Sequence, residues 1–345
     1  MAVPNTDNIT TTTLQLIRRR IADNVFKANP LAAWMLAKNR VKTESGGKFI
    51  AEPLMYATNS TVQAYSGYDR LNIAPTQELT EADYNWRQAA VSITISGEEE
   101  LKNSGPNAIF SLLGSKLKVA ELSMRQWLDE KFHAATSSKD TNKDFLGLDE
   151  LIDDQLNFST VGGIDSNAYA FWRNQIGPNG DGNSLMAGAD AGSGELDDPV
   201  HIDATGAELN AVLSHMMNVC GRMQTMPDLI ITAQAVFEHY ENANLGKLQL
   251  TDIDMMDVGF HALRYRGARM VWNENIKTST ADLHPIYFLN SEFLGFTLHS
   301  KRNFAMSSFV SPWDQDARVA QILLAGNMTC NNRRHQGVCW VDLSP

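Results

Sequence analysis

The chain has 345 residues, an apolar fraction of 43% and a formal net charge of −11. That length supports a large core, or two packed lobes, and that apolar content excludes wholesale disorder. The negative balance argues against tight, non-specific binding to nucleic acid through phosphate contacts, and no apolar run approaches the ~20 residues that cross a bilayer as a helix.

Met1 to Thr13 is polar and Thr-rich and lacks the charged-then-apolar layout of a secretion signal, so it reads as a flexible arm made in the cytoplasm. From Leu14 to Asn39 the spacing is helical in pieces. Leu14, Ile17 and Ile21 share one face, and Leu31, Trp34 and Met35 form a second apolar group after Pro30, where a helix restarts. The basic runs Arg18-Arg19-Arg20 and Arg333-Arg334 read first as solvated faces or salt-bridge donors, and second as contacts to nucleic acid or an anionic partner.

Residues 46–97 predict a long hairpin. Two strand-like runs, Lys48 to Ala57 and Asn85 to Ser96, flank a stretch rich in Tyr, Gly, Thr, Asn and Pro with no core pattern. In the second run Ala90, Ile93 and Ile95 interleave with Ser92, Thr94 and Ser96, the alternation of a half-buried strand. Pro53 places the first run at an edge or a bulge. A two-stranded ribbon alone is at best marginally stable in water, and another copy of the chain is the simplest supplier of the missing surface. Tyr56, Tyr65, Tyr68 and Tyr84 suit such a contact, because tyrosine buries a large ring and keeps a polar tip. The candidate intersubunit residues are Tyr56, Tyr65, Tyr68, Arg70 and Trp86.

After Gly97 and the acidic Glu98-Glu99-Glu100, the start signal Ser104-Gly105-Pro106 opens the strongest helix, about Asn107 to Ala135. Ile109, Leu113, Leu117, Ala120, Met124, Trp127 and Leu128 keep the three-and-four spacing of one buried face. Leu113, Leu117, Met124, Trp127 and Leu128 are its expected core residues. Such a helix is roughly 40 Å long at 1.5 Å per residue. Leu112, Val119 and Leu122 widen the apolar surface, which predicts packing on a sheet. A short apolar element (Phe145 to Ile152), a Gly-rich turn (Thr160 to Asp165) and the aromatics Tyr169, Phe171 and Trp172 follow, then a surface loop from Gly177 to Asp198. Leu209 to Met223 predicts an amphipathic helix, and Pro227 to Ala233 a buried strand before a helix around Val236 to Asn242. Strands are expected at Val258 to Tyr265, Ala268 to Trp272, Ile286 to Asn290 and Gly295 to Leu298, with a β-rich C-terminus over Ala317 to Ala325 and Met328 to Val341.

Chemistry finds no foothold. The eight histidines form no H-x-x-x-H or H-E-x-x-H pair. Asp252, Asp254 and Asp257 resemble an acidic metal cluster, but the intervening Ile253, Met255 and Met256 favour a partly buried loop or strand end. Asp181-Gly182-Asn183 lacks the later Glu of a calcium loop, and Gly162-Gly163 reads as a backbone turn instead of a phosphate cradle. No nucleophile elbow, Walker loop or dinucleotide fingerprint is present. Cys220, Cys330 and Cys339 have no C-x-x-C spacing and suit reduced thiols. No enzyme activity, cofactor or metal is expected.

The order of parts resembles the major capsid proteins of tailed bacteriophages, the Hong Kong ninety-seven fold, an α+β architecture. Gly147-Leu148 with Leu151-Ile152, then Val161-Gly162-Gly163-Ile164-Asp165 with Trp172-Arg173 downstream, is similar to a pattern found after the long helix in that family. The resemblance implies an N-terminal arm over 1–45, an extended hairpin loop over 46–97 lying on a neighbouring subunit, and a peripheral domain over 98–150 with a spine helix. It further implies an axial domain over 151–300 and C-terminal strands over 301–345 that complete the peripheral domain. The implied function is a major capsid protein that self-assembles as pentamers and hexamers into an icosahedral head around a double-stranded DNA genome. Made in the host bacterial cytoplasm, it would reside in the virion. Portal, scaffold and decoration or cement proteins would be further partners, with weak contact to packaged DNA and none to membrane. Nothing marks Lys48 and the C-terminal asparagines as a crosslinking pair. An encapsulin-type compartment shell is the alternative, and a hydrolase with a metal at Asp252, Asp254 and Asp257 ranks last.

Overall fold

The computed structural model describes residues 29–102, 106–133, 143–153, 159–177, 200–201, 207–222, 225–244, 263–276 and 283–343, with side chains except at 100–102, 106–113, 200–201 and 207. Leu14, Ile17, Ile21, the Arg18–Arg20 run, the Asp181–Asn183 turn and Asp252, Asp254 and Asp257 lie outside the described residues.

The first helix, α1 (Pro30–Ala37), starts where proline at the first helical position needs no hydrogen bond of its own. The Asn29 side chain accepts from Ala32 N at 3.0 Å to cap it. Leu31, Trp34 and Met35 are buried. Strand β1 (Val41–Glu44) follows and runs parallel to β13 (Leu294–His299).

The hairpin is built differently from the sequence expectation. Strand β2 (Ile50–Met55) pairs antiparallel with β3 (Leu79–Tyr84), so the Asn85–Ser96 run is not its partner. That run forms β4 (Arg87–Ser96), which leaves the ribbon and pairs along its whole length with β15 (Ala317–Cys330). The half-buried surface that its alternation demanded is supplied by the same chain. Pro53 lies, as expected, on a strand of a two-stranded sheet, where no central ladder needs its missing N–H.

After the short α2 (Gly97–Lys102) comes α3 (Pro106–His133), a spine of 28 residues. Leu117, Ala120, Met124, Leu128 and Phe132 form its buried row at three- and four-residue steps. Trp127 packs edge-on against Phe145 at 5.6 Å, and Phe132 against Phe296 of β13 at 5.3 Å. Leu113 lies in the helix, but its side chain is outside the described set. Val119 and Leu122 are exposed, which corrects the expectation that they widen the buried face. The helix packs through a narrower stripe.

Beyond α4 (Leu148–Leu151), the two-residue strands β5 (Thr160–Val161) and β6 (Ile164–Asp165) enclose Gly162 and Gly163, both at positive φ, as the Gly-rich turn required. Strands β7 (Gln175–Ile176) and β8 (Val200–His201), helix α5 (Ala207–Cys220), β9 (Leu229–Thr232), α6 (Gln234–Asn244), β10 (Leu263–Tyr265), β11 (Ala268–Trp272) and β12 (Leu283–Leu289) follow. Of the expected strand at Val258 to Tyr265, positions 258–262 lie outside the described residues. After β13 come β14 (Ala305–Met306), β15 and β16 (Gly337–Asp342).

The strands form a five-stranded sheet containing β1, β13, β15, β14 and β4, and a seven-stranded sheet in the order β10-β11-β9-β12-β16-β7 with β8 also on β16. Side chains alternate across the larger sheet by the period-2 rule. Ile231, Tyr287, Leu289 and Val338 join the core shared with the spine helix. Ile230, Ile286, Phe288, Cys339 and Val341 face α5 and α6 in a second cluster. Burial on both faces explains why Leu229, Ile230 and Ile231 of β9 read as a continuous apolar run. Sheet membership cuts across the expected domain boundaries: β13 belongs with β15, whereas the C-terminal β16 belongs with β9 and β12.

Candidate assembly surface

The root of the hairpin is sealed inside its own chain. Opposed pairs on one face of the ribbon are Ile50 with Tyr84, Glu52 with Ala82 and Leu54 with Thr80, and all but the half-buried Thr80 are buried. Glu52 is a carboxylate in that otherwise apolar face, which demands partners. Lys42 Nζ supplies them at 2.8 and 2.9 Å, with Thr329 Oγ1 at 3.2 Å. Tyr84 Oη donates to Cys330 O at 2.6 Å and accepts from Cys330 N at 3.2 Å, and burial pushes its hydroxyl pKa up. Gly162 O accepts from Asp83 N at 2.9 Å on the ribbon edge.

Beyond the neck, where Tyr56 N donates to Glu78 O at 3.0 Å, the loop leaves the body. The hydrogen bonds that shape it join residues of the loop itself. Asn59 Oδ1 accepts from Thr61 N at 2.8 Å, Asp69 Oδ2 from Ser66 N at 2.9 Å, and Arg70 O from Gln63 Nε2 at 3.1 Å. Such side-chain-to-backbone turns hold a shape without a core. Its apolar groups face outward: Val62 is 86% and Ile73 90% exposed, and Tyr65, Tyr68 and Leu71 are exposed with them. An exposed apolar set on a shaped excursion makes this loop the candidate interaction surface.

The candidate contact residues divide between root and tip. Tyr65, Tyr68 and Arg70 stand at the exposed tip. Tyr56 stacks at a tilt on Phe171 at 5.2 Å, and Trp86 donates to Gly47 O at 3.1 Å and meets the His299 ring edge-on at 5.3 Å. Both rings are thus half-buried against their own chain. Among the spine residues, Leu117, Met124 and Leu128 are buried and Trp127 is packed against the same core.

Two polar centres fix the parts that carry the hairpin. The first decides between the two readings of Arg333: it is fully buried, and its ion pair with Asp153 makes it a salt-bridge donor and not a solvated charge. Its guanidinium donates to Leu151 O at 2.7 Å, Ser166 Oγ at 2.5 Å, Asp153 Oδ2 at 2.6 Å and Asn174 Oδ1 at 3.1 Å. The fork geometry of arginine suits such a hub. At the second, Asp129 near the end of α3 accepts from Asn273 Nδ2 at 2.9 Å and Asn275 Nδ2 at 2.6 Å, tying the spine to the end of β11. Burial raises its carboxyl, but hydrogen bonds and charge from His133, Asn275 and Asn273 outweigh it and hold the pKa low.

Cys220, Cys330 and Cys339 are free and buried, and burial pushes each thiol up to about 12. No group of three metal-binding side chains occurs among the described residues. No described helix is long and apolar enough to cross a membrane. One exposed aromatic escaped the sequence reading: Trp313, in the turn before β15, is 99% exposed. Its signal was an aromatic set in the turn residues Ser311-Pro312-Trp313-Asp314.

No protein-family model matches the chain, and no curated protein sequence matches it. Solved structures do. A chain of the cyanophage A-1(L) capsid asymmetric unit is 15% identical, with 89% of this chain and 91% of that chain covered at a TM-score of 0.56. A chain of the satellite phage P4 procapsid, which includes a size determination protein, is 9% identical, with 94% and 90% covered at a TM-score of 0.51. With a mixed helix and sheet architecture that aligns with these structures over about nine-tenths of its length, the chain has the α+β capsid fold of tailed phages, the Hong Kong ninety-seven fold.

Proposed function

We propose that the chain is a major capsid protein: a structural subunit that assembles with copies of itself into a closed icosahedral shell around a double-stranded DNA genome. One observation carries this reading. A chain with the capsid fold holds out a shaped loop whose Val62, Tyr65, Tyr68, Leu71 and Ile73 find no cover in their own subunit. A neighbouring copy would cover them, and repetition of that contact would close the shell. The net charge of −11 suits a container that confines DNA without gripping it. On this reading the protein resides in the virion after synthesis in the bacterial host, and portal, scaffold or decoration proteins join the same shell. The work of the subunit is mechanical, not catalytic.

Negative-stain electron microscopy and sedimentation velocity of the expressed full-length chain test this directly. Closed, uniform shells or ring-shaped capsomers are expected. A species that stays monomeric at every concentration and salt condition would remove the proposal.

A further inference from the structure

Cations gather at the foot of the hairpin, although the chain as a whole is acidic. Three segments meet there: 44–49 ahead of β2, 86–88 at the start of β4, and 299–302 after β13. Trp86 Nε1 donates to Gly47 O at 3.1 Å, and the Trp86 ring meets His299 edge-on at 5.3 Å. Arg302 donates to Gln88 Oε1, which ties the third segment to the second. Together the segments carry Lys48, Arg87, Lys301 and Arg302 against one carboxylate, Glu44, which lies opposite His299 in the β1–β13 register. The nearby Lys42 and Glu52 neutralise each other. With Asp83, the next carboxylate along the ribbon, also counted, an excess of positive charge remains. Lys48, Lys301 and Arg302 are exposed and make no ion pair among the described residues. Like charges gathered on one surface repel one another, and a bound anion relieves that repulsion.

Neutral donors sit among these cations. Lys301 N donates to His299 Nδ1 at 3.2 Å, so Nδ1 is the acceptor and the ring carries a proton on Nε2. That Nε2–H lies beside Gly46, where a Cβ would be 4.0 Å from it. Gly46 and Gly47 stand at φ +139° and +130°, a region that favours glycine, and their N–H groups make no hydrogen bond among the described residues. Lys, Arg and open backbone N–H groups are the donors that hold phosphate oxygens in nucleic-acid complexes. An acidic protein segment fits less well, because protein interfaces set an apolar core among their charges and are depleted in lysine. Here the exposed apolar group is the Phe49 ring, 37% exposed, with Lys48 Nζ 4.9 Å from its centroid.

We infer that this surface binds the phosphodiester backbone of nucleic acid. Lys48, Lys301 and Arg302 meet phosphate oxygens, and the Gly46 and Gly47 amides with His299 Nε2–H serve as neutral donors. The contact is local, independent of base sequence and readily screened by salt. It deepens the proposed shell function by naming where the subunit meets DNA, and it rests on that reading for its biological meaning. The binding itself can be measured on unassembled chains.

Fluorescence anisotropy of a short labelled DNA duplex with the full-length chain, below its assembly concentration and over a range of salt, decides it. Binding at low salt is expected, with a log–log salt slope of about −0.9 for each phosphate contacted. Lys301→Gln with Arg302→Gln should raise Kd about tenfold or more and flatten the slope by about two. Lys48→Gln, on a separate segment, should flatten it by about one, and it keeps the test open if circular dichroism shows the double variant misfolded. Lys118→Gln with Arg125→Gln makes the same charge change on the exposed face of the spine helix and should leave Kd within about threefold. Equal loss in that control pair overturns the site, as does absence of duplex binding at low salt. Poly-L-glutamate that displaces the duplex at equal charge concentration overturns it in favour of an acidic protein partner. Inorganic phosphate that does so at equal phosphate concentration overturns it in favour of a free ion. Closed shells without patch-dependent binding leave the capsid reading standing without this site. Patch-dependent binding by a chain that never assembles keeps the site and removes the capsid reading.

Discussion

At the scale of single residues, Arg333 carries more structure than any exposed charge. It sits between β15 and β16, yet its four bonds reach α4, the segment after it, the turn that follows β6 and Asn174 just before β7. Arg333→Ala would leave Asp153 buried with Ser159 as its remaining side-chain donor. Breaking one partner of a buried pair costs about 3–5 kcal/mol. A drop of that size in unfolding free energy is expected in urea titrations of the unassembled subunit, and Arg333→Lys should recover little, because an ammonium cannot make the fork. Nearby His335 stacks on Phe293 at 4.5 Å, and its Nδ1 lies 3.1 Å from Cys220 O. Burial lowers its pKa; the Arg334 and Arg222 charges add to the shift, while the Cys220 hydrogen bond and Glu292 oppose it. The folded state therefore holds His335 neutral, while the unfolded chain protonates it near the ordinary value of about 6.5. In that window the unfolded state binds the extra proton, so stability is full above about pH 6.5 and is lost as pH falls below it. His335→Gln should flatten that part of the pH–stability curve, measured by denaturant midpoints from pH 7.5 to 5.

At the scale of elements, the spine helix separates its two faces in energy. Leu128 is buried against the sheet, so Leu128→Ala should cost about 2–5 kcal/mol, whereas Val119→Ser on the open face should stay within about 0.5 kcal/mol. Thermal melts of the two variants beside the parent chain read the difference. This helix was legible because a 3.6-residue period reports a buried stripe directly; exposed Val119 and Leu122 show that the sequence overstated the width of the stripe. Strand β4 was legible for the same reason with period 2, but alternation tells which face is buried and not which strand lies alongside. The ribbon pairing was therefore misread. Its true second strand, Leu79-Thr-Glu-Ala-Asp-Tyr84, hides its inward set behind two carboxylates, with only Ala82 and Tyr84 fully buried. Arg333 could be read as a salt-bridge donor but not as a buried hub, because a charge run says nothing of the polar atoms that folding gathers around it from residues 151 to 174. The exposed tip with Tyr65, Tyr68 and Arg70 could be read because nothing near it in sequence offers a core.

At the scale of the whole molecule, the two sheets are interlocked by the chain path. Strand β12 lies in the larger sheet and β13 in the smaller, then β15 in the smaller and β16 in the larger, so the backbone crosses between them repeatedly. One core cluster runs through both, from Trp34 and Leu128 to Leu289 and Val338. The hairpin root belongs to that cluster through Ile50, Leu54, Ala82 and Tyr84, while the tip beyond the Tyr56–Glu78 neck contributes nothing to it. Stability and association thus reside in separable parts, and deleting Tyr65 to Asn72 should separate them. The deletion removes the Ser66–Asp69 turn with the exposed Tyr65, Tyr68 and Leu71, and leaves every root pair in place. Because the lost groups are solvated in the isolated subunit, its denaturant midpoint should stay close to the parent value. In a shell each copy would lose the same contact, and hot-spot truncations of about 2 kcal/mol or more per contact multiply over the lattice. Folded monomers or small capsomers without closed shells are therefore expected by sedimentation and negative stain. Intact shells from the deleted chain would place the closing contact elsewhere on the surface, and an unfolded product would mean that tip and root are one cooperative unit.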